Sequence, residues 1–310
     1  MRRLRARMLL AAAALGLLAA GAAADVKTQT IEYRHGKLRL QGYLAYDDSV
    51  RGKRPGVLVL HGRRGLREQA RQRARQLAGL GYVALAADLY GGGRQASERA
   101  GAAKLARALE KDRGLMRARA QAGLDVLKSQ PRVDGTKLAA IGFGLGGTAC
   151  LELARSGAEL AAVVSFHGRL DTPNPAEAWN IKAKLLVLHA AEDASVPAGQ
   201  VAAFQKEMDQ ARVDWQMITY GGAGRGFADP EGGEGASGTG GSNERAARRS
   251  WQAMKLFFAQ TIGLPSPEGD GGGIGGFAKD KIAKPVARAG KATGKAVAHA
   301  VRWTWGKITD

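Results

Sequence analysis

The chain of 310 residues holds a single cysteine, Cys150, so no intrachain disulfide can form. Stability must come from a packed core, and a chain of this length can bury enough apolar surface to supply one. Long hydrophobic runs are also missing. The longest, Met8 to Ala20, falls short of the roughly 20 apolar residues that a membrane-spanning helix needs. Histidine is scarce, and the five present (His35, His61, His167, His189 and His299) are scattered. They lack the spacing of metal ligands, so no metal site is expected. Acidic residues are too few to balance the basic ones, and the formal net charge is +19.

The first segment, residues 1–24, reads as a secretory signal peptide. Arg2, Arg3, Arg5 and Arg7 precede the apolar run, and Ala22-Ala23-Ala24 supply an A-x-A cleavage site before Asp25. An uncleaved anchor is the alternative. Aspartate rather than cysteine follows the cut, which disfavours a lipoprotein. The mature chain is expected to be periplasmic or secreted. Without the four leader arginines about +15 of charge remains, which favours anionic surfaces. Arginine-rich composition also accompanies GC-rich genomes, so charge alone carries little weight.

Residues 25–264 read as one domain. Thr28–Tyr33 and Leu38–Tyr46 alternate around His35-Gly36, the pattern of a β-hairpin. From Gly56 onward, short apolar runs (Gly56–Leu60, Tyr82–Ala86, Lys137–Phe143, Ala161–Phe166, Ala183–His189, Asp214–Tyr220) alternate with helical stretches. Those are Leu66–Ala78, Ser97–Asp112, Gly114–Ser129, Leu145–Ser156, Ala198–Ala211 and Asn243–Thr261. Strand and helix in alternation predict an α/β fold with a mostly parallel sheet covered on both faces. Its site should lie beyond the carboxyl ends of the strands. Asp229–Asn243 is a polar, glycine-rich excursion, and residues 265–276 form a glycine-rich linker.

At Ile141-Gly142-Phe143-Gly144-Leu145-Gly146-Gly147 an apolar strand runs through a glycine turn into a helix. This is the strand–turn–helix setting of the G-x-nucleophile-x-G elbow of α/β-hydrolases, but the nucleophile's position is Gly144. Taken with Arg54–Gly62, Gly81–Gly91, Val164-Ser165-Phe166-His167-Gly168, Glu192–Pro197 and Tyr220–Ala223, the sequence resembles the dienelactone hydrolase family from about Thr28 to about Ile262.

The resemblance implies an α/β-hydrolase fold and a cofactor-free ester or lactone hydrolase with a Cys-His-Asp triad and an active-site glutamate. Matched position by position, the family cysteine falls on Gly144, the glutamate on Gly62 and the histidine on Arg225, while the triad aspartate is retained as Asp193. The implied oxyanion-hole donors are the backbone N–H groups of Leu145 and Arg63. Glycine offers no nucleophile, and arginine cannot serve as a base near neutral pH. Asp193 and Arg225 are expected to pair as ions. Two fallback nucleophiles are Cys150 and a Ser165–His167 dyad, since neighbours i and i+2 on a strand share a face. His61 and His189 read as orienting or core histidines. The expectation is a catalytically impaired or small-molecule-binding pseudoenzyme, with a functioning hydrolase using one of the fallback groups as the alternative.

Residues 277–310 form a basic tail. Lys281, Lys284, Arg288, Lys291, Lys295 and Arg302 would make one stripe on a helix, and Trp303 and Trp305 close it. This suits an anionic membrane surface. Pro285, Gly290 and Gly294 weaken a helix, which puts a solvated disordered tail first and the membrane surface second; nucleic acid or an acidic protein is the least favoured partner.

Overall fold

Alternation along each strand decides which side of the sheet a residue serves, and here both sides are apolar. In β3 (Arg54–Leu60) Leu58 and Leu60 belong to one core cluster, and Val57 and Val59 to the other. The sheet must therefore be covered twice. The structure, a computed structural model, describes residues 24–229 and 243–263. The leader up to residue 23, the linker and the basic tail lie outside the described residues, as does most of the excursion after Asp229.

A hairpin of β1 (Val26–His35) and β2 (Leu38–Asp47) opens the domain, paired antiparallel from Val26↔Asp47 to His35↔Leu38. Then follow β3, α1 (Glu68–Gly79), β4 (Val83–Ala87), α2 (Arg99–Lys111), α3 (Arg113–Lys128), β5 (Val133–Phe143), α4 (Leu145–Arg155) and β6 (Ala162–Phe166). A short 3-10 helix (Pro175–Asn180), β7 (Lys184–Ala190), α5 (Ala198–Gln210), β8 (Trp215–Tyr220) and α6 (Glu244–Thr261) complete it. The eight strands lie in the order β1-β2-β4-β3-β5-β6-β7-β8. Only the hairpin contributes antiparallel pairs; β4, β3, β5, β6, β7 and β8 run parallel. Helices α1 and α6 cover one face, and α2 to α5 the other. The predicted elements are all present. The 3-10 helix was not predicted, and β5 begins at Val133 rather than Lys137 because its ladder with β3 shifts register between Pro55 and Gly56. Among the described residues no helix is long and apolar enough to cross a membrane.

Helix α4 sits at the centre, with every residue buried. It lies so close to the sheet that a Cβ on Gly146 would stand 2.0 Å from the Leu60 carbonyl oxygen, and one on Gly142 2.1 Å from that of Gly146. Its last residue, Arg155, is 1 % exposed yet fully engaged. Its Nε and Nη2 donate to the two oxygens of Glu207 at 2.7 and 2.9 Å, its Nη1 to Glu152 at 3.2 Å and its Nη2 also to the Leu170 carbonyl at 3.1 Å. Arg117 donates to the other oxygen of Glu152 at 2.9 and 2.6 Å and pairs with Glu177. One charged cluster thus joins α3, α4, α5 and the 3-10 helix.

Gly146→Ala should cost about 1–3 kcal/mol or more through overpacking against backbone that cannot yield. Gly199→Ala, in α5 with nothing within 4 Å of its Cβ position, should be neutral or stabilising. Urea titration of the two variants checks the contrast.

Candidate active site

Gly144 links β5 to α4 with φ 54° and ψ −110°, a left-handed turn that glycine adopts without the cost a side chain would carry. Its N–H donates to the Phe166 carbonyl at 2.9 Å, and its own carbonyl accepts from the Thr148 N–H at 3.1 Å. These bonds pin the turn to the end of β6 and to the first turn of α4. A Cβ at position 144 would meet only His167 Nδ1, at 3.8 Å. Space for a nucleophile exists; its side chain does not. Among the described residues the N–H groups of Leu145 and Arg63 donate to no protein acceptor. At Gly62 a Cβ would touch only the Phe143 carbonyl, at 3.5 Å.

The turn after β3 is fixed from beneath. The His61 Nδ1–H donates to the Gly62 carbonyl at 2.7 Å while Nε2 accepts from the Leu89 N–H at 3.0 Å. That pair of bonds selects the neutral Nδ1–H tautomer, and burial pushes the ring's pKa down. The Tyr90 hydroxyl donates to the Arg63 carbonyl at 2.7 Å. Asp88, fully buried, holds the next turn by accepting from the N–H groups of Tyr90, Gly91 and Gly93 at 2.8, 2.8 and 2.9 Å. His61 is thus an orienting residue, as its position at the end of a strand implied.

Between the elbow and this turn lies a cavity of about 80 Å³ whose lining includes Gly62, Arg63, Gly144, Leu145, His167 and Arg225. Arg64, Arg67 and Asp229 also contribute to its wall. His167 is 5 % exposed and neither ring nitrogen has a hydrogen-bond partner. Its φ is 41°, an uncommon backbone conformation for a side-chain-bearing residue. Burial first, and the Arg225 guanidinium second, push its pKa down to about 3, against a smaller upward pull from Asp193. Arg73 adds to the positive side: its guanidinium lies 5.3 Å from the Phe143 ring centre and 4.9 Å from that of Trp251, and donates to the Ala228 carbonyl at 2.8 Å. His189, at the end of β7, is also held below its ordinary pKa by burial.

The fallback groups do not assemble. Ser165 is fully buried, its hydroxyl lies where a Cβ on Gly147 or Gly168 would come within 2.7 or 2.6 Å, and it has no hydrogen-bond partner. It points under α4, whereas His167 lies past the end of β6 and lines the cavity. The i, i+2 rule fails because it holds only while both residues stay in the strand. Cys150 is enclosed in α4, and burial raises its thiol pKa well above the ordinary value.

The expected Asp193–Arg225 ion pair is absent as well. One Asp193 oxygen accepts from the Ser195 N–H at 2.9 Å and the Ser195 hydroxyl at 2.6 Å; the other has no partner. The local turn claims the carboxylate first, and Arg225 senses Asp193 only at longer range. Sequence reasoning set His167 in the wrong pairing. The arginine run Arg63-Arg64 and Arg67, directly after β3, was the available signal for a basic cavity.

A parallel sheet covered on both faces, with a glycine-flanked elbow at its carboxyl edge, defines an α/β-hydrolase fold. Within that class the chain belongs to the dienelactone hydrolase family, which it matches over residues 40–262. It is similar to the solved structure of m3DLH, with 42% identity and a TM-score of 0.74, covering 77% of this chain and 99% of that one. A dienelactone-hydrolase-like promiscuous phosphotriesterase, P91, from metagenomic libraries is 40% identical with a TM-score of 0.74, covering 77% of this chain and 100% of its own. Protein K02A2.1 of Caenorhabditis elegans is 36% identical over 154 residues, which is 48% of this chain and 96% of that protein. Among the described residues no cluster of three or more His, Cys, Asp or Glu could hold a metal ion.

His167 binds its proton far less readily in the native state than the about 6.5 expected when unfolded. As pH falls below about 6.5 the unfolded chain takes up the proton first, so stability declines from there towards the native value of about 3. His61 acts in the same sense. His167→Gln should flatten this acid slope, measured by denaturant titration at stepped pH, by up to one proton.

Proposed function

We propose that this protein is a dienelactone hydrolase relative that binds small acyl compounds and whose covalent hydrolase chemistry is impaired. One observation carries the reading: residue 144 stands at the elbow with open space and no side chain, and no other nucleophile faces that space. Acyl transfer needs a nucleophile with a base in reach. Arg225, at the position that matches the family histidine, stays protonated near neutral pH. The backbone donors at Leu145 and Arg63 remain, and such donors retain about 10³–10⁴-fold catalysis over water in other hydrolases stripped of their triad. Its likeness to a dienelactone-hydrolase-like phosphotriesterase favours ester-type ligands. We further propose export through the 1–24 leader.

Hydrolysis of a small activated ester by the mature protein should run near background and ignore iodoacetamide. Robust turnover lost in Cys150→Ser or Ser165→Ala would overturn the reading. Gly62→Glu, Gly144→Cys and Arg225→His together should raise turnover where each alone does little, because triad members act as a unit. Gly144→Cys should itself cost about 1–3 kcal/mol through the strained turn. A folded triple variant with no gain would mean that the pocket has diverged from the family's substrates.

The tail is proposed to bind anionic membrane surfaces through the Lys281–Arg302 stripe and the two tryptophans. Flotation with phosphatidylglycerol vesicles should fall with salt as the Debye length shrinks from about 10 Å to about 3 Å, and removal of residues 277–310 should abolish it. Equal flotation of the shortened protein would assign the contact to the domain.

A further inference from the structure

Arg225 is the unresolved charge of the site. Among the described residues no carboxylate reaches ion-pairing distance of it, and it lines a small, half-open cavity. Arg225 is half-buried, and a cation that loses hydration without gaining a partner is disfavoured. The guanidinium that acts on it most strongly, Arg63, is tied to Glu110 at 3.3 Å. Repulsion from Arg63, after burial, disfavours the charged form of Arg225. The same cavity is met by the N-terminus of the eleven-residue helix α4, where the helix dipole and free N–H groups favour negative charge.

A second, independent feature points the same way. His167 presents two unpartnered ring nitrogens to the cavity wall while being almost wholly buried. A neutral imidazole always carries one N–H donor, and leaving it unmade on a buried ring is expensive. Four donors without a protein acceptor thus meet at the cavity, a guanidinium, two backbone N–H groups and an imidazole N–H, beside walls that also carry Gln69 and the Asp229 carboxylate.

We infer that this cavity binds a small oxyanion, a carboxylate or phosphate group, between Arg225, the N–H groups of Leu145 and Arg63, and His167. The acyl compound it takes then carries a carboxylate or phosphoryl group of its own. This rests on the reading of the pocket as a binding site. The arrangement explains what Arg225 achieves there: in place of a base that shuttles a proton, it supplies a permanent counter-charge.

The test uses the full-length protein. The charged groups that act on His167 are Arg225, Asp193 and Arg73, so an anion seated among them must stabilise its protonated form. NMR titration of the His167 ring, with inorganic phosphate in one series and acetate in another, should show its pKa rising with anion concentration. A rise with phosphate alone assigns a phosphoryl ligand, with acetate alone a carboxylic acid, and either supports the site. No movement with either anion overturns it, without any variant being made. In Arg225→Gln, anion affinity should fall about tenfold or more, and Arg225→Lys should recover part of it. Arg248→Gln, on the far groove beside β8, should change nothing. Undiminished binding in a folded Arg225→Gln protein places the anion elsewhere and also overturns the inference. Ester turnover on the same samples separates this inference from the impaired-hydrolase reading: turnover that anions inhibit sinks that reading alone, whereas silence in both assays sinks only the anion site.

Discussion

The close approach of α4 to β3 and β5 is the constraint on which the rest of the molecule depends. Only glycine at 142 and 146 lets the helix lie with its Cβ positions 2.0–2.1 Å from neighbouring backbone oxygens. That contact places the helix N-terminus at the carboxyl edge of the sheet, raises residue 144 above it, and frees the Leu145 N–H toward the cavity. It also carries α4 through the middle of the domain, so that its far end must bring Arg155 into the interior. Site and core are two ends of one helix.

The two ends treat buried charge differently. Arg155 sits among four hydrogen bonds to Glu207, Glu152 and the Leu170 carbonyl, and Glu152 is shared with Arg117. Such a cluster gains little over an apolar substitute, but removing one member strands the others. It fixes the packing of three helices. At the other end Arg225, His167 and the free oxygen of Asp193 are left without direct partners. Open donors also remain elsewhere, as at Arg54 Nε and Nη2, but at the elbow a guanidinium, an unpartnered imidazole and a helix N-terminus share one cavity.

Much of this was legible along the chain. The 2.0 and 3.6 periods gave the order of strands and helices, since two-sided burial writes near-continuous apolar runs into parallel strands. The elbow was legible because its glycines are demanded by local geometry. The Ser165–His167 pairing was not, because it depended on whether β6 continued for one more residue. The chain instead turns at His167 with φ 41°, sending one side chain under α4 and the other into the cavity.

By itself, then, the sequence determined the fold class, the place of the elbow and the absence of a side chain at residue 144, because each follows from contacts local in the chain or from residue identity. Which charges pair was decided only by the tertiary structure. Asp193 spends one oxygen on Ser195, two residues away, where chain entropy costs least, and Arg225 is left facing the cavity. Arg155 finds Glu207 52 positions along the chain. Coulomb attraction falls with distance and with solvent, and neither quantity exists until the chain has folded.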